Sequence, residues 1–385
     1  MHPNLRKASV NWIDGMKVNK SHFQQTEHWV ADHLKDNIAL SLTDYNYGLL
    51  PSSEEVDNSL DYQIEVEQTQ FVKIALFSCR AITRGGVRVE ITPYISKQFS
   101  LDKAMLEVVF DLKTASNQQY DIVVTVDPFN RVAVGEPDPE EHPLRHPSSI
   151  PKYSVDVIPS SQLNTEEFST FHMTIGKFRV VAGEVQPENF IPPCTRVCSH
   201  PTLLEFYRDF GKQLNEIRQN LTQFIKKSRS SNGQHTNQHI LALAEGMLRN
   251  LAVFEDEFQL ELPQKSPLYL YTYFTRLIRL ISTVLNCIPE DERLIVYNTF
   301  NQSFTAGTFE NMVSAVLNMK YSHRDIFQMM DKLYAETTRL TEIISRLPYG
   351  SSQGQVKQEA PPEAATPKSS GSGPKIFRGG QQIKR

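Results

Sequence analysis

The sequence is poor in cysteine and in long apolar runs. Its 385 residues include 4 cysteines, Cys79, Cys194, Cys198 and Cys287, too few for the disulfide framework of a small secreted fold. No stretch approaches the roughly 20 apolar residues that a membrane-spanning helix needs. The first residues also lack the apolar core of a secretory signal. We therefore expect reduced thiols, a cytoplasmic protein and no transmembrane segment.

The sequence also lacks a large excess of either positive or negative charge. The formal net charge is -4, which provides no general attraction to nucleic acid or to anionic lipid. We therefore expect no nucleic-acid partner. The length exceeds one ordinary domain, so two or three structural units are expected.

Common catalytic motifs are missing from the sequence. It has no P-loop, no G-x-S-x-G, no H-E-x-x-H and no dinucleotide fingerprint, and Gly85-Gly86 fits a hairpin turn. Cys194, Cys198 and His200 offer thiolates and an imidazole, but a fourth nearby ligand and the two-residue knuckle spacing are absent. The charged run at 140–146 lies in a proline-rich stretch typical of a solvated loop. We expect no enzyme activity, no metal and no cofactor.

The first half of the chain has the pattern of β-strands. Short runs rich in Val, Ile and aromatic residues alternate with polar or Gly-containing turns, and a proline-rich loop is expected at 135–152. One helix is predicted before the strands, at about 21–42, from apolar residues near helical spacing. Residues 1–187 are therefore predicted to form an antiparallel β-sandwich, followed by a linker at 188–199. Strands are predicted at 62–68, 71–79, 87–92, 106–112, 120–127, 131–134, 152–159 and 171–185.

The second half, residues 200–347, has helical periodicity and is predicted to be a helical bundle. Ser266-Pro267 has the chemistry of an N-cap followed by proline at the first helical position. One heptad stripe has strictly alternating spacings of four and three. The 3.5-residue period favours a seam between copies of the chain, and packing inside one bundle is the alternative. The stripe consists of Leu203, Tyr207, Phe210, Leu214, Ile217, Leu221 and Phe224.

The last segment, 348–385, is rich in Gly, Ser and Pro and is predicted to be disordered. Its end is different, because two apolar residues lie between cations. We interpret this group as a short linear motif that docks on a partner protein or on anionic lipid. The motif consists of Lys375, Ile376, Phe377 and Arg378.

The N-terminus contains the densest group of unusual residues. Val10 and Trp12 suit a short strand, Asp14-Gly15 a tight turn and Ser21 a helix N-cap. In order and spacing this stretch resembles the opening of the TssK family of type VI secretion baseplate subunits. The matching residues are Val10, Trp12, Gly15, Met16, His22, Phe23, Gln24 and Gln25.

Two later segments extend the resemblance. Ser199-His200-Pro201 is similar to the family's H-P motif that opens its middle domain. The segment from Tyr321 to Asp325 is similar to its Y-x-H-x-D helix start. Together the three matches span about 350 residues in the family's order.

The resemblance implies a homotrimer with a β-sandwich shoulder like that of phage receptor-binding proteins, a helical neck and a C-terminal head. The shoulder would bind the baseplate wedge, and Trp12 and Phe23 would anchor the shoulder to the neck. Only 38 residues follow Leu347, so the family's folded head is expected to be missing. The basic tail would then reach the cytoplasmic part of a membrane complex.

The resulting hypothesis is a structural adaptor of a contractile injection baseplate. The alternative is a carbohydrate- or ligand-binding β-sandwich on a helical stalk, as in phage adsorption proteins. That alternative requires exposed aromatic side chains at the rim of the sandwich. The candidates are Tyr45, Tyr47 and Phe129.

Overall fold

A computed structural model describes most of the chain. The described residues are 5, 7–53, 57–66, 70–98, 106–113, 115–116, 118–163, 170–230, 237–302, 304–305, 307–347 and 375–379. Of the predicted tail, only 375–379 belongs to this set. The prediction of disorder concerns residues that otherwise lie outside it.

The first antiparallel sheet is organised around one long strand, β3. One side of β3 pairs with β2 and, nearer the C-terminal end of β3, with β1. The other side pairs with β5 and, nearer the same end, with β4. A strand from the C-terminal end, β10, pairs with the free side of β2. The strands are β1 (Gly48–Leu49), β2 (Leu60–Val66), β3 (Phe71–Ile82), β4 (Arg88–Ile91), β5 (Leu106–Asp111) and β10 (Lys375–Gly379).

The second antiparallel sheet has the order β7-β6-β8-β9. Its central strand β6 carries a bulge between Asp127 and Arg131, which joins two runs that the sequence predicts as separate strands. The β6–β7 hairpin continues into the predicted proline-rich loop, because β7 begins at Ser148. The strands are β6 (Gln119–Val134), β7 (Ser148–Pro159), β8 (His172–Val181) and β9 (Glu184–Pro187).

One long helix precedes the sheets, and helices occupy the chain after Pro201. The helix α3 packs against α8 and α4, and Gln213 Nε2 donates to Thr338 Oγ1 at 2.6 Å between α3 and α8. The helices are α1 (Lys20–Ser41), α2 (Pro93–Gln98), α3 (Pro201–Ser230), α4 (Gln238–Val253), α5 (Pro267–Asn286), α6 (Glu290–Phe300), α7 (Thr308–Asn318) and α8 (Ile326–Ser345).

The buried side chains of strands and helices form one connected core. Between the sheets, the Phe110 ring of β5 lies 4.9 Å from the Tyr120 ring and 6.0 Å from the Phe178 ring, centroid to centroid. Such aromatic pairs contribute more than their buried area alone. The predicted combination of antiparallel sheets with a helical C-terminal region is confirmed.

Local predictions had mixed outcomes. Ser266 caps α5 and Pro267 is its first residue, as predicted. The cap of α1 is Asn19, two residues before the predicted Ser21, and the side chain of His22 completes a capping box. No strand forms at Val10. Among the described residues, no helix is both long and apolar enough to cross a membrane.

Candidate interaction site

Helix α1 has an inverted distribution of polar and apolar side chains. Its buried residues are Asp32, Lys35 and Ala39, although the interior side of a surface helix is normally apolar. Charged residues are almost never fully buried unless they are paired. Two of the three buried residues of α1 are therefore charged.

The buried charges of α1 form an ion pair. Lys35 Nζ lies 2.7 Å from Asp32 Oδ1, and the Lys7 backbone N–H donates to Asp32 Oδ2 at 3.0 Å. The Lys35 ammonium also lies 5.8 Å and 5.9 Å from the ring centroids of Phe129 and Phe171, within cation–π range. These contacts connect α1 and the N-terminal segment to the second sheet.

The opposite side of α1 is apolar and exposed. Phe23 and Leu34 are 60% and 59% exposed, with Val30 between them at 41%. Their spacings of seven and four residues place all three on one face of the helix. Further exposed apolar side chains lie in the preceding segment, so we call the combined set the N-terminal apolar surface. It consists of Leu5, Trp12, Ile13, Val18, Phe23, Val30, Leu34 and Leu40.

The residues of the N-terminal motif shape this surface. Gly15 has a φ of +79°, which favours glycine in the predicted turn. Gln25 Nε2 donates to the carbonyl oxygens of Ala8 and Ser9 at 3.2 and 3.3 Å, which holds the N-terminal segment along α1. The His22 ring meets the Trp12 ring edge-on at 6.0 Å. Met16 is half-buried, and Gln24 is exposed.

The role predicted for Trp12 and Phe23, anchoring the sheet region to the helical region, stays a prediction, and within one chain these side chains are not buried. Both side chains are more than half exposed. The physical reason is that α1 turns the side with Asp32, Lys35 and Ala39 inward, which leaves Phe23 on the outward side. The junction between the two regions is built by other residues.

The junction is centred on β1 and the segment that precedes α3. The Leu49 N–H donates to the Pro193 carbonyl at 2.7 Å, and the Thr195 N–H donates to the Leu49 carbonyl at 2.9 Å. Gly48 has a φ of +111°, and a Cβ there would lie 2.0 Å from the Pro193 oxygen. Only glycine fits this close backbone approach.

Histidine 323 joins the helical region to β1. His323 Nε2 donates to the Tyr47 carbonyl at 2.9 Å, so Nδ1 accepts from the Tyr321 hydroxyl at 2.8 Å. This arrangement requires a neutral imidazole. Desolvation lowers the pKa of His323 to about 4 and raises the pKa of Tyr321 well above its usual value. Ser266 Oγ donates to the Tyr45 carbonyl at the same junction.

The segments that resemble the TssK family therefore have structural roles. Asp325 caps α8 by accepting from the Gln328 N–H at 3.3 Å. His200 lies directly before α3 and is buried, and desolvation lowers its pKa to about 4. Asp325 thus ends the turn before α8, and His200 occupies a buried position at the start of α3.

The predicted seam of α3 lies inside the chain. Leu203, Ile217 and Leu221 have no exposed surface, and Tyr207 stacks on Phe258 and donates to its carbonyl at 3.0 Å. Phe210 and Leu214 are also buried. Packing inside one bundle therefore accounts for the stripe, and the buried side chains are not available to a second copy.

The remaining candidates are dispersed. Cys194 Sγ donates to the Pro192 carbonyl at 3.2 Å, and Cys198 Sγ approaches Gln264 Oε1 at 3.7 Å. Within the described ranges, no three potential metal-ligating side chains come together. Of the rim aromatics, Tyr45 is 42% exposed and Tyr47 is 5% exposed, and Phe129 lies under the Lys7 ammonium.

The predicted tail motif lies on the first sheet. The backbone of Lys375–Gly379 forms β10 against β2. The sequence provides the extended, proline-free character of this segment, but not the identity of the strand with which it pairs.

No sequence pattern indicates that the Asp32–Lys35 pair is buried. Opposite charges three residues apart on a helix are usually exposed neighbours. An apolar stripe on the same helix normally marks its buried side. Only the structure shows that α1 buries its charged side and exposes its apolar side.

Comparison with known proteins yields matches among solved structures alone. No protein-family model matches the chain, and no curated protein matches it. A chain in the cryo-electron microscopy structure of the type VI secretion system TssK-TssF-TssG baseplate subcomplex is similar at 16% identity and a TM-score of 0.50. The match covers 88% of this chain and 99% of that one.

Two further matches have TM-scores below 0.5. The crystal structure of TssK has a TM-score of 0.49 at 14% identity and covers 88% of this chain and 70% of that one. A chain of the type VI secretion baseplate complex has a TM-score of 0.47 at 15% identity, with coverages of 89% and 70%.

The architecture is thus an α+β class of protein, with two antiparallel sheets followed by a long helical region. Its N-terminal helix leaves an apolar side uncovered. This chain has the fold of TssK.

Proposed function

We propose that the chain is a structural component of a type VI secretion baseplate. The observation that carries this proposal is the fold match across 99% of a chain from the TssK-TssF-TssG subcomplex. In this proposal the sheets form a sandwich shoulder, the helices form a neck, and the protein works by binding rather than by catalysis. It acts on the cytoplasmic side, at a baseplate associated with the inner membrane.

The N-terminal apolar surface is the proposed contact for the baseplate wedge. Helix α1 presents Phe23, Val30 and Leu34 outward although its inner side is charged. Contiguous exposed apolar side chains are typical of protein–protein contact sites. TssF and TssG share the matched subcomplex with TssK, so homologues of these two proteins are the proposed partners.

The protein is further proposed to be a homotrimeric adaptor. Because the α3 stripe is buried within one chain, the trimer requires another surface. Leu294 and Ile295 on α6, 57% and 52% exposed, are available apolar groups of the helical region. The C-terminal motif at 375–378 is the proposed link to the cytoplasmic part of a membrane complex, and to make this contact it must leave its pairing with β2.

Reconstitution tests the assignment. The purified chain is mixed with the TssF- and TssG-like proteins of its own source, and the complex is sized by chromatography with light scattering. A stable complex containing three or a multiple of three copies is expected. Absence of any complex with correctly folded partners would overturn the assignment.

A pair of matched variants locates the contact. The double variant Phe23→Ser, Leu34→Ser should lose the wedge proteins, because it removes two anchors from the N-terminal apolar surface. The variant Val253→Ser, Leu260→Ser exchanges two apolar groups of the helical region that are 67% and 74% exposed, and it should keep the wedge proteins. Equal binding by both variants would refute this placement.

A further inference from the structure

The outer edge of β2 is occupied by the C-terminal end of the chain. Residues Lys375–Gly379 pair antiparallel with β2, from Lys375 opposite Val66 to Gly379 opposite Tyr62. On its other side β2 pairs with β3. Without β10, alternate residues of β2 between Tyr62 and Val66 would present unpaired N–H and C=O groups, as the edge of a sheet does.

The register of β2 is strongly determined. Leu60, Tyr62 and Ile64 are buried, and the residues between them are partly exposed. A slip by one residue would turn this apolar set away from the core. The edge that β2 offers is therefore a fixed template, and Phe377 occupies the position opposite the buried Ile64.

The two strands have complementary charge. β2 contains Asp61 and Glu65 and no basic residue, whereas β10 contains Lys375 and Arg378 and no acidic residue. Net charges of opposite sign favour the association of two segments and help to select the partner. Pro374 has no N–H to donate, so it lies directly before the first residue that forms the ladder.

We propose that the outer edge of β2 is a strand-binding site whose occupant is the segment Lys375–Gly379 of the same chain. Only 27 residues, 348–374, connect this segment to the helical region. A segment tethered in this way meets its site at an effective concentration on the order of millimolar. A strand from another molecule binds only if it outcompetes the tethered segment at this effective concentration. The tethered segment therefore disfavours non-specific edge-to-edge pairing.

This pairing goes beyond the proposed baseplate role and does not depend on it. Hydrogen exchange on the full-length chain tests it. Successive N–H groups of a strand point to opposite sides. The double variant Ile376→Pro, Phe377→Pro therefore removes one N–H group on each side of β10, including one that faces β2. The control, Ser369→Pro, Ser370→Pro, places the same residues in the same tail outside β10.

The proline variant should accelerate exchange by about tenfold or more at every second amide of β2. The alternate amides, which bond to β3, should keep their protection and thereby show that the sheet remains folded. The control should exchange like the wild type. Unchanged exchange at all β2 amides in the Ile376→Pro, Phe377→Pro variant would overturn the proposal.

A labelled peptide of residues 373–381 provides an independent measurement. It should bind the Ile376→Pro, Phe377→Pro chain at least about tenfold more tightly than the wild type, in which the tethered segment competes. Equal affinity for both chains would contradict occupancy by the tail. Wild-type protection of β2 that rises with protein concentration would assign the strand to a second copy and overturn pairing within one chain.

Discussion

Lowering the pH should weaken the junction between the sheets and the helices through His323. Its neutral ring donates to the Tyr47 carbonyl and accepts from the Tyr321 hydroxyl. Protonation removes the acceptor at Nδ1 and places a charge in a buried site. The variant His323→Gln retains one donor and one acceptor but does not titrate.

The magnitude follows from the pKa difference. The pKa of His323 falls from 6.5 to about 4 on folding because of desolvation. Between these values the unfolded chain binds more protons, so stability is fully present above pH 6.5 and is lost as the pH falls toward 4. At about pH 5 the loss amounts to about 2 kcal/mol. His200, whose pKa is also lowered to about 4, should add a similar loss.

Denaturant unfolding near pH 7.5 and pH 5 measures this effect. The wild type should lose about 2 kcal/mol more stability between the two conditions than His323→Gln, because carboxylate titrations are common to both chains and cancel. The matched variant His200→Gln should reduce the pH-dependent loss of stability by a separate amount of similar size. Equal losses in the wild type and His323→Gln would refute the assigned role of the ring.

Three further substitutions test the remaining elements. Gly48→Ala should cost at least about 2 kcal/mol more than Gly15→Ala, because both residues have positive φ but only Gly48 faces a backbone oxygen; equal melting curves would contradict this. Asp32→Ala should cost about 3 to 5 kcal/mol by leaving the buried Lys35 unpaired, and thermal unfolding near the wild-type temperature would refute that pairing. Phe23→Ser should change the free energy of unfolding by about 0.5 kcal/mol or less, and a larger loss in urea titration would show that Phe23 packs within the chain.

Sequence reasoning works best where structure depends on a few adjacent residues. Ser266-Pro267 begins a helix as predicted, because capping chemistry is local. At the start of α1, Asn19 takes the cap position and not the predicted Ser21, which lies two residues later. The Ser21 N–H and hydroxyl both donate to Asn19 Oδ1, so the predicted cap instead supports the actual one.

The sequence is less informative where the identity of a partner decides the outcome. Heptad spacing in α3 predicts a buried stripe correctly, but the same spacing serves a partner helix of either the same or another chain. Ile217 and Leu221 are covered by their own chain. The β10 segment likewise shows strand chemistry, while its pairing with β2 depends on contacts about 310 residues apart.

The sequence indicates the position of the candidate site better than the arrangement of its side chains. The N-terminal motif does mark a distinctive surface. The family resemblance implies that Trp12 and Phe23 anchor the shoulder to the neck, whereas both side chains are more than half exposed in one chain. The deciding feature is the buried Asp32–Lys35 pair. Neither composition nor periodicity indicates that the buried side of α1 contains a charged pair.

Affinity purification tests the proposed baseplate role most directly. The full-length chain carries a tag at its native expression level, and co-purifying proteins are identified by mass spectrometry. Recovery of TssF- and TssG-like proteins with the wild type, and their loss with Phe23→Ser, Leu34→Ser, is the predicted result. Absence of both proteins from the wild-type sample, while they are present in the lysate, would contradict the proposed function.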